Sequence, residues 1–199
     1  IEKGAVAYVS EIDYEVDVPA ILVKDIRVSM EEVARFFFDY PDQKIKIIGV
    51  TGTKGKTTTV MELKAIFDKF PEDNAKKPCG LISGIGIFDG FEHHESNLTT
   101  PEAFYIYKYL NTAVEAGLEY LIMEVSSTAL KVNRVSKANF EIGIFLNFGH
   151  DHIGGMEHPD VDDYFYSKMR LADISKTFII NSKMDRVEDA IKYLDDKGK

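Results

Sequence analysis

The densest chemistry in this chain sits in Thr51-Gly52-Thr53-Lys54-Gly55-Lys56-Thr57-Thr58. Apolar Ile45, Ile47 and Ile48 precede it, and Met61, Leu63 and Ile66 follow it among helix formers. A strand that feeds a glycine-rich turn and opens a helix offers bare backbone N–H groups, the positive end of a helix dipole and one lysine to a polyphosphate. Gly52 and Gly55 admit a close backbone approach, Lys56 supplies charge for the β- and γ-phosphates, and the Thr57 hydroxyl is a ligand for Mg²⁺. The usual loop has four residues between its first glycine and Gly-Lys-Thr. Here Val50 holds that first position and Gly49 lies one residue too early. A plain strand-to-helix turn with a solvated lysine is the competing reading, and the apolar pattern on both sides favours the phosphate loop.

Two more polar clusters follow apolar runs. Glu124 closes Leu121-Ile122-Met123 and precedes Ser126-Ser127, a place from which a carboxylate serves either Mg²⁺ or a salt bridge. Asn147-Phe148-Gly149-His150-Asp151-His152 contains His152 and Asp151, either of which suits a second metal, although a loop histidine taken singly is more often structural. His93, His94 and His158 carry no signal beyond that structural reading. Thr99-Thr100-Pro101-Glu102 reads as a helix start, with Thr100 as N-cap, Pro101 at the first helical position and Glu102 near the positive end of the dipole. The same hydroxyls and N–H groups suit an anionic substrate. Arg134, eight residues beyond Ser126, is either a surface arginine or a carboxylate or phosphate ligand.

These residues need a scaffold, and the remaining pattern describes one. Short apolar runs at Ile45–Val50, Gly80–Ser83, Tyr120–Val125, Ile142–Leu146 and Phe178–Ile180 alternate with helical periodicity at Thr57–Phe70, Pro101–Ala116, Asp162–Ala172 and Arg186–Leu194. The expected fold is α/β, a mostly parallel sheet with helices on both faces, in which ligands sit beyond the carboxyl ends of the strands. Ser83–Asn97 interrupts the alternation as a glycine-turned hairpin or long loop. Upstream, Ala5–Ser10 and Ala20–Val23 read as strands and a helix begins near Ser29, with Ser29 as N-cap and Glu32 three residues on. Pro41-Asp42-Gln43-Lys44 reads as a linker, dividing residues 1–42 from residues 43–199.

A chain of 199 residues can bury a sizeable core, and its formal charge of -9 disfavours polyanion binding over the whole surface, so nucleic acid is not expected. Cys79 is the single cysteine, which excludes an intrachain disulfide and fits a reducing compartment. No apolar run approaches the roughly 20 residues needed to span a bilayer, and no signal peptide is expected, which makes the cytoplasm the expected location. The chain begins at Ile1 without an initiator methionine, so further sequence is expected before it.

In this order, VTGTKGKTTT, TTPE, MEVSSTALKVNRV and FLNFGHDHIGGMEHPDVDDYFYSK resemble the Mur ligases of peptidoglycan synthesis, and within them the MurE type that adds the third amino acid to UDP-N-acetylmuramoyl-L-alanyl-D-glutamate. The likeness runs from Ile45 to Asp185, and the earlier portion resembles the tail of that family's uridine-nucleotide-binding domain. TGTKGKTT, HDHIGGMEHP and DYFYSK are similar to the branch that adds L-lysine rather than meso-diaminopimelate. The resemblance implies that Gly52, Thr53, Lys54, Gly55, Lys56, Thr57 and Thr58 bind ATP, with Thr57 and Glu124 at one Mg²⁺ and His152 at a second. It implies that Thr99, Thr100, Ser126 and Arg134 hold the UDP-muramoyl dipeptide, and that Lys168 carries a carbamate, an anionic metal ligand. From its own sequence context Lys168 reads as a solvated helix residue pairing with Tyr164 or Asp163. Lys56, Glu124, His152 and Lys168 are the implied catalytic set, in a monomer that takes an amino acid as its other substrate. Thr128 and Val132 depart from the histidine and glutamine found in relatives, so those two roles are not transferred. The family's C-terminal domain is not expected within these residues, and the fragment by itself is expected to be inactive. The competing readings are a folylpolyglutamate synthase and a non-catalytic nucleotide-binding module.

Overall fold

The computed structural model describes residues 4–69, 77–149 and 157–199. Its centre is a seven-stranded sheet whose strands are β3 (Lys46–Thr51), β4 (Gly80–Ser83), β5 (Gly86–Phe88), β6 (His93–His94), β7 (Tyr120–Glu124), β8 (Phe140–Phe145) and β9 (Ser175–Ile180). Their spatial order is β6-β5-β4-β7-β3-β8-β9. The five long strands run parallel, and only the β4-β5-β6 edge is antiparallel, which is where Ser83–Asn97 was expected to turn back. The helices are α1 (Ile26–Phe37), α2 (Lys56–Lys69), α3 (Ala103–Glu115), α4 (Ser127–Lys131), α5 (Val161–Asp173) and α6 (Val187–Asp196), and β1 (Tyr8–Ser10) pairs with β2 (Ala20–Leu22) in a separate ribbon.

Successive strand residues point to opposite faces, so one sheet feeds two cores. Ile47, Ile82, Leu121 and Met123 pack with Ile106, Tyr107 and Leu110 of α3, while Ile48, Leu81 and Ile122 pack with Val60 of α2. Each such side chain removed from water stabilises the fold by about 1.5–3 kcal/mol. A third cluster joins Phe145 to Tyr164, Phe165 and Met169 of α5 and Ala190 of α6. Opposite Ile47 and Ile48 the register of β8 slips by one residue, which lets Phe140 and Ile142 serve different faces.

Three local expectations are corrected. Helix α1 is capped by Asp25, whose carboxylate accepts from the N–H groups of Arg27 and Val28; Ser29 lies inside the first turn and bonds back to the Asp25 carbonyl at 2.8 Å. The stretch read as a linker is a 3₁₀ turn, Pro41–Gln43, with Pro41 and Asp42 buried and Asp42 held bidentately by Arg35. Thr100 is not the cap of α3, because the helix begins at Ala103 after Glu102 and the Thr100 side chain is used elsewhere. Among the described residues no helix is long and apolar enough to cross a membrane.

Candidate active site

The carboxyl ends of β7, β3 and β8 lie side by side, with Val50 in register with Glu124 and Thr51 with Phe145. The chain leaves β3 toward β4 on one side and leaves β8 toward β9 on the other, so the crevice forms between them. The Gly52–Lys56 turn fills its mouth. Asn147, beyond β8, fixes that turn: its carbonyl accepts from Thr53 N–H, its side-chain oxygen accepts from Lys54 N–H, and its amide donates to Lys54 O. Gly55 has φ +82, a conformation that side chains rarely adopt, and it opens directly into α2. Gly49 plays no part in the turn; it lies within β3, where the Phe140 ring leaves no space for a Cβ.

Lys56 begins α2, followed by Thr57 and Thr58 in its first turn, and its Nζ donates to Gly52 O at 2.9 Å. From α5, Lys168 donates to the same carbonyl at 3.1 Å and lies 4.3 Å from the centre of the Tyr164 ring. It is 1% exposed, so the expectation of a solvated helix residue is overturned: α5 packs flat on the sheet and turns this position toward the phosphate loop. Tyr164 is beside it, but Asp163 bonds Lys131 and His158 instead. Two cations on one carbonyl oxygen sit no further apart than those two bonds allow, and they repel.

Glu124 is 1% exposed at the end of β7. Ser83 Oγ donates to its Oε1 at 2.5 Å, and no described residue bonds Oε2. The buried Thr51 hydroxyl, at the end of the neighbouring strand, has no partner among the described residues. Thr100 Oγ1 donates to the Glu124 carbonyl and accepts from Ser126 N–H, which ties TTPE to the end of β7. Ser126 in turn caps the short helix α4 by accepting from Ala129 N–H. Arg134 donates to Thr100 O at 3.0 Å and to Glu102 Oε1 at 2.5 Å, and its buried Nε has no described partner. Together Lys56, Thr99, Thr100, Ser126, Arg134 and Lys168 line one cavity of about 270 Å³, along with Ser127, Thr128, Glu157 and Tyr164. Three of its walls carry cations and one carries a carboxylate, a balance that suits an anionic ligand.

No three His, Cys, Asp or Glu side chains converge among the described residues, and Mg²⁺ does not require them, since it is ordinarily held by one or two carboxylates, hydroxyls, water and substrate phosphate. Glu124 and Thr57 fit that donor set. His152 and Asp151 lie outside the described residues. Sequence reasoning gave no role to His158, which is fully buried and bonded to Ser127 and Asp163, because Ser127 lies 31 positions away and Asp163, five positions on, forms no recognisable motif with it. His94 pairs with Asp89 and His93 stacks on Phe88, both at the hairpin edge. Burial pushes the Cys79 thiol up to about 12, which leaves it protonated and unreactive.

A strand-turn-helix phosphate loop at the switch point of a parallel sheet, with a buried carboxylate on the next strand, defines a nucleotide-binding α/β domain. The sequence pattern of the Mur ligase middle domain matches residues 50–198, and the chain belongs to that family. It is 44% identical over 181 residues to a UDP-N-acetylmuramyl-tripeptide synthetase of Lactococcus lactis subsp. cremoris, covering 91% of this chain and 37% of the relative. It is also 44% identical to a UDP-N-acetylmuramoyl-L-alanyl-D-glutamate--L-lysine ligase of Streptococcus suis, covering 94% of this chain and 38% of the relative. The chain thus spans under two fifths of the length of the curated relatives it matches. In fold it is similar to a solved UDP-N-acetylmuramoyl-L-alanyl-D-glutamate--2,6-diaminopimelate ligase, with a TM-score of 0.78 at 23% identity, over 98% of this chain and 39% of that one.

Proposed function

We propose that the full-length protein is an ATP-dependent ligase that adds L-lysine to UDP-N-acetylmuramoyl-L-alanyl-D-glutamate in peptidoglycan precursor synthesis. One observation carries the reading: the phosphate-loop lysine and the residues expected to hold the dipeptide line a single cavity. The names of the 44%-identical relatives supply the substrate, and the lysine-adding relatives favour that amino acid over diaminopimelate. In this reading residues 43–199 belong to the ATP-binding domain and residues 1–42 to the uridine-nucleotide-binding domain before it.

The chemistry follows from the walls. Backbone N–H groups at the start of α2, from Gly55 to Thr58, and the Lys56 ammonium cradle the ATP phosphates within the Gly52–Thr58 loop, while Arg134, Thr99, Thr100 and Ser126 hold the dipeptide with a D-glutamyl carboxylate facing the γ-phosphate. Phosphoryl transfer to that carboxylate gives an acyl phosphate, and the amino acid's amine attacks its carbonyl carbon and expels phosphate. Thr57 and Glu124 would hold Mg²⁺, which neutralises charge on the transferring group. A carbamate on Lys168 would replace one of two mutually repelling cations near Gly52 with an anion, and that relief supports the modification. The test is isotopic. With ¹⁸O in the D-glutamyl carboxylates, the released phosphate should carry one labelled oxygen; unlabelled phosphate with product formed would reject the acyl phosphate route.

A further inference from the structure

His158 is fully buried, yet nothing in the ligase chemistry above uses it. It belongs to a relay of four side chains that ends at the cavity wall. Lys131 Nζ donates to Asp163 Oδ2 at 2.7 Å, and the same oxygen accepts from His158 Nδ1 at 2.6 Å. Burial of Asp163 opposes its charge, but the bonds from Lys131 and His158 win and hold its carboxyl below the ordinary aspartate value. An ionised Asp163 only accepts, so Nδ1 carries the proton and, in the neutral ring, Nε2 is an acceptor. Its partner is Ser127 Oγ at 2.9 Å, which in that tautomer donates its proton to the imidazole. What Ser127 can still offer to the cavity it lines is lone pairs.

We propose that the Lys131-Asp163-His158-Ser127 relay positions the Ser127 hydroxyl as a hydrogen-bond acceptor that reads the amide N–H between the alanyl and glutamyl residues of the substrate. The inference rests on the ligase reading above and deepens it. Among the lining hydroxyls Thr100 Oγ1 is shared between Glu124 O and Ser126 N–H, and Ser126 Oγ accepts from Ala129 N–H and keeps its own proton to donate, whereas the Ser127 hydroxyl is the one oriented by a buried side-chain relay. The cations Lys56 and Arg134 select phosphates and carboxylates, which have no N–H to give. An acceptor held among them selects the part of the ligand that does. The glutamyl amide is the N–H closest to the carboxylate that must face Lys56, and Lys56 and Ser127 line the same cavity.

The experiment compares two substrates on the full-length enzyme: UDP-muramoyl dipeptide with its natural alanyl–glutamyl amide, and the analogue in which that N–H is replaced by an ester oxygen. Wild type should show a KM about tenfold higher for the ester, because one buried acceptor loses its donor. Ser127→Ala should raise the KM for the amide by a similar factor, leave the KM for ATP within about twofold, and no longer distinguish amide from ester. His158→Ala should show the same loss of discrimination, and its effect should not add to that of Ser127→Ala. Equal KM values for the two substrates in wild type would overturn the proposal whatever the variants do. Discrimination that survives in Ser127→Ala would overturn it as well. A wild-type enzyme that forms no product with the natural substrate would instead reject the ligase reading beneath it.

Discussion

Glu31 is a fully buried carboxylate that ties helix α1 to the rest of the domain, and removing it offers a test of how the site is held. Its Oε1 accepts from Tyr107 OH on α3 at 2.9 Å and from Lys137 N–H at 2.8 Å, and its Oε2 accepts from Ser136 Oγ at 2.6 Å. Ser136 and Lys137 lie two and three residues beyond Arg134, so the carboxylate anchors the turn that presents the guanidinium to the cavity. Glu31→Ala would leave three donors without their acceptor, and at a penalty of about 1–3 kcal/mol each the total is at least about 3 kcal/mol. That corresponds to a fall of about 6–12 °C in the thermal transition of the domain, read by circular dichroism. The pH dependence is a sharper readout. Burial raises the Glu31 pKa above its ordinary 4.5, against the hydrogen bonds from Ser136, Lys137 and Tyr107 that pull it down. The native state then keeps the proton to higher pH than the unfolded chain does, so the contribution of Glu31 to stability is fullest below 4.5 and is lost as pH rises through the raised value. Glu31→Gln cannot titrate. The stability of wild type relative to Glu31→Gln should therefore decline as the pH is raised from about 4.5 to about 8. A flat difference, or one that grows in favour of wild type, would refute the reasoning.

Three further outcomes bear on the site itself. Lys56→Ala should lower ligation by at least about 100-fold, since it removes the one cation at the head of α2, and activity within a few-fold of wild type would contradict the phosphate-loop assignment. Lys168→Ala should lose most activity, with short carboxylates such as acetate partly restoring it by supplying the missing anionic oxygens; an unimpaired variant would reject the carbamate. Arg134→Ala should raise the KM for the UDP-muramoyl dipeptide by about 10- to 100-fold with little change in the KM for ATP, and equal effects on both would assign the guanidinium to holding Thr100 and Glu102 rather than substrate.

The sheet and its main helices could be read from the chain because each strand or helix carries its own period, as in Ile45–Val50 and Pro101–Ala116. Elements without that signal were missed. Helix α4 is five residues long, too short for a helical repeat, and it shows only as the Ser126 cap. Strand β9 begins at Ser175, three residues before the expected Phe178, because Lys176 and Thr177 on this sheet edge are exposed and break the apolar run. Asp25 was overlooked as a cap because a second candidate, Ser29, stood within the same turn. The phosphate loop was legible from Gly55-Lys56-Thr57 and the apolar runs on both sides, although its first glycine is displaced. The burial of Lys168 was not, since its contact with Gly52 joins residues 116 positions apart. The His158–Ser127 bond spans 31 positions and matches no short pattern. Long-range polar contacts of this kind are set by how α4 and α5 pack together, and no one segment encodes them.

The central claim is that the single cavity beside the phosphate loop couples ATP cleavage to lysine addition. The most direct measurement gives the full-length protein UDP-N-acetylmuramoyl-L-alanyl-D-glutamate, ATP, Mg²⁺ and equal amounts of L-lysine and meso-diaminopimelate, then weighs the product by mass spectrometry and counts ADP. The account predicts a product heavier by one lysine residue and one ADP per product. A product carrying diaminopimelate would contradict the choice of lysine, and ADP without any product would contradict the ligase.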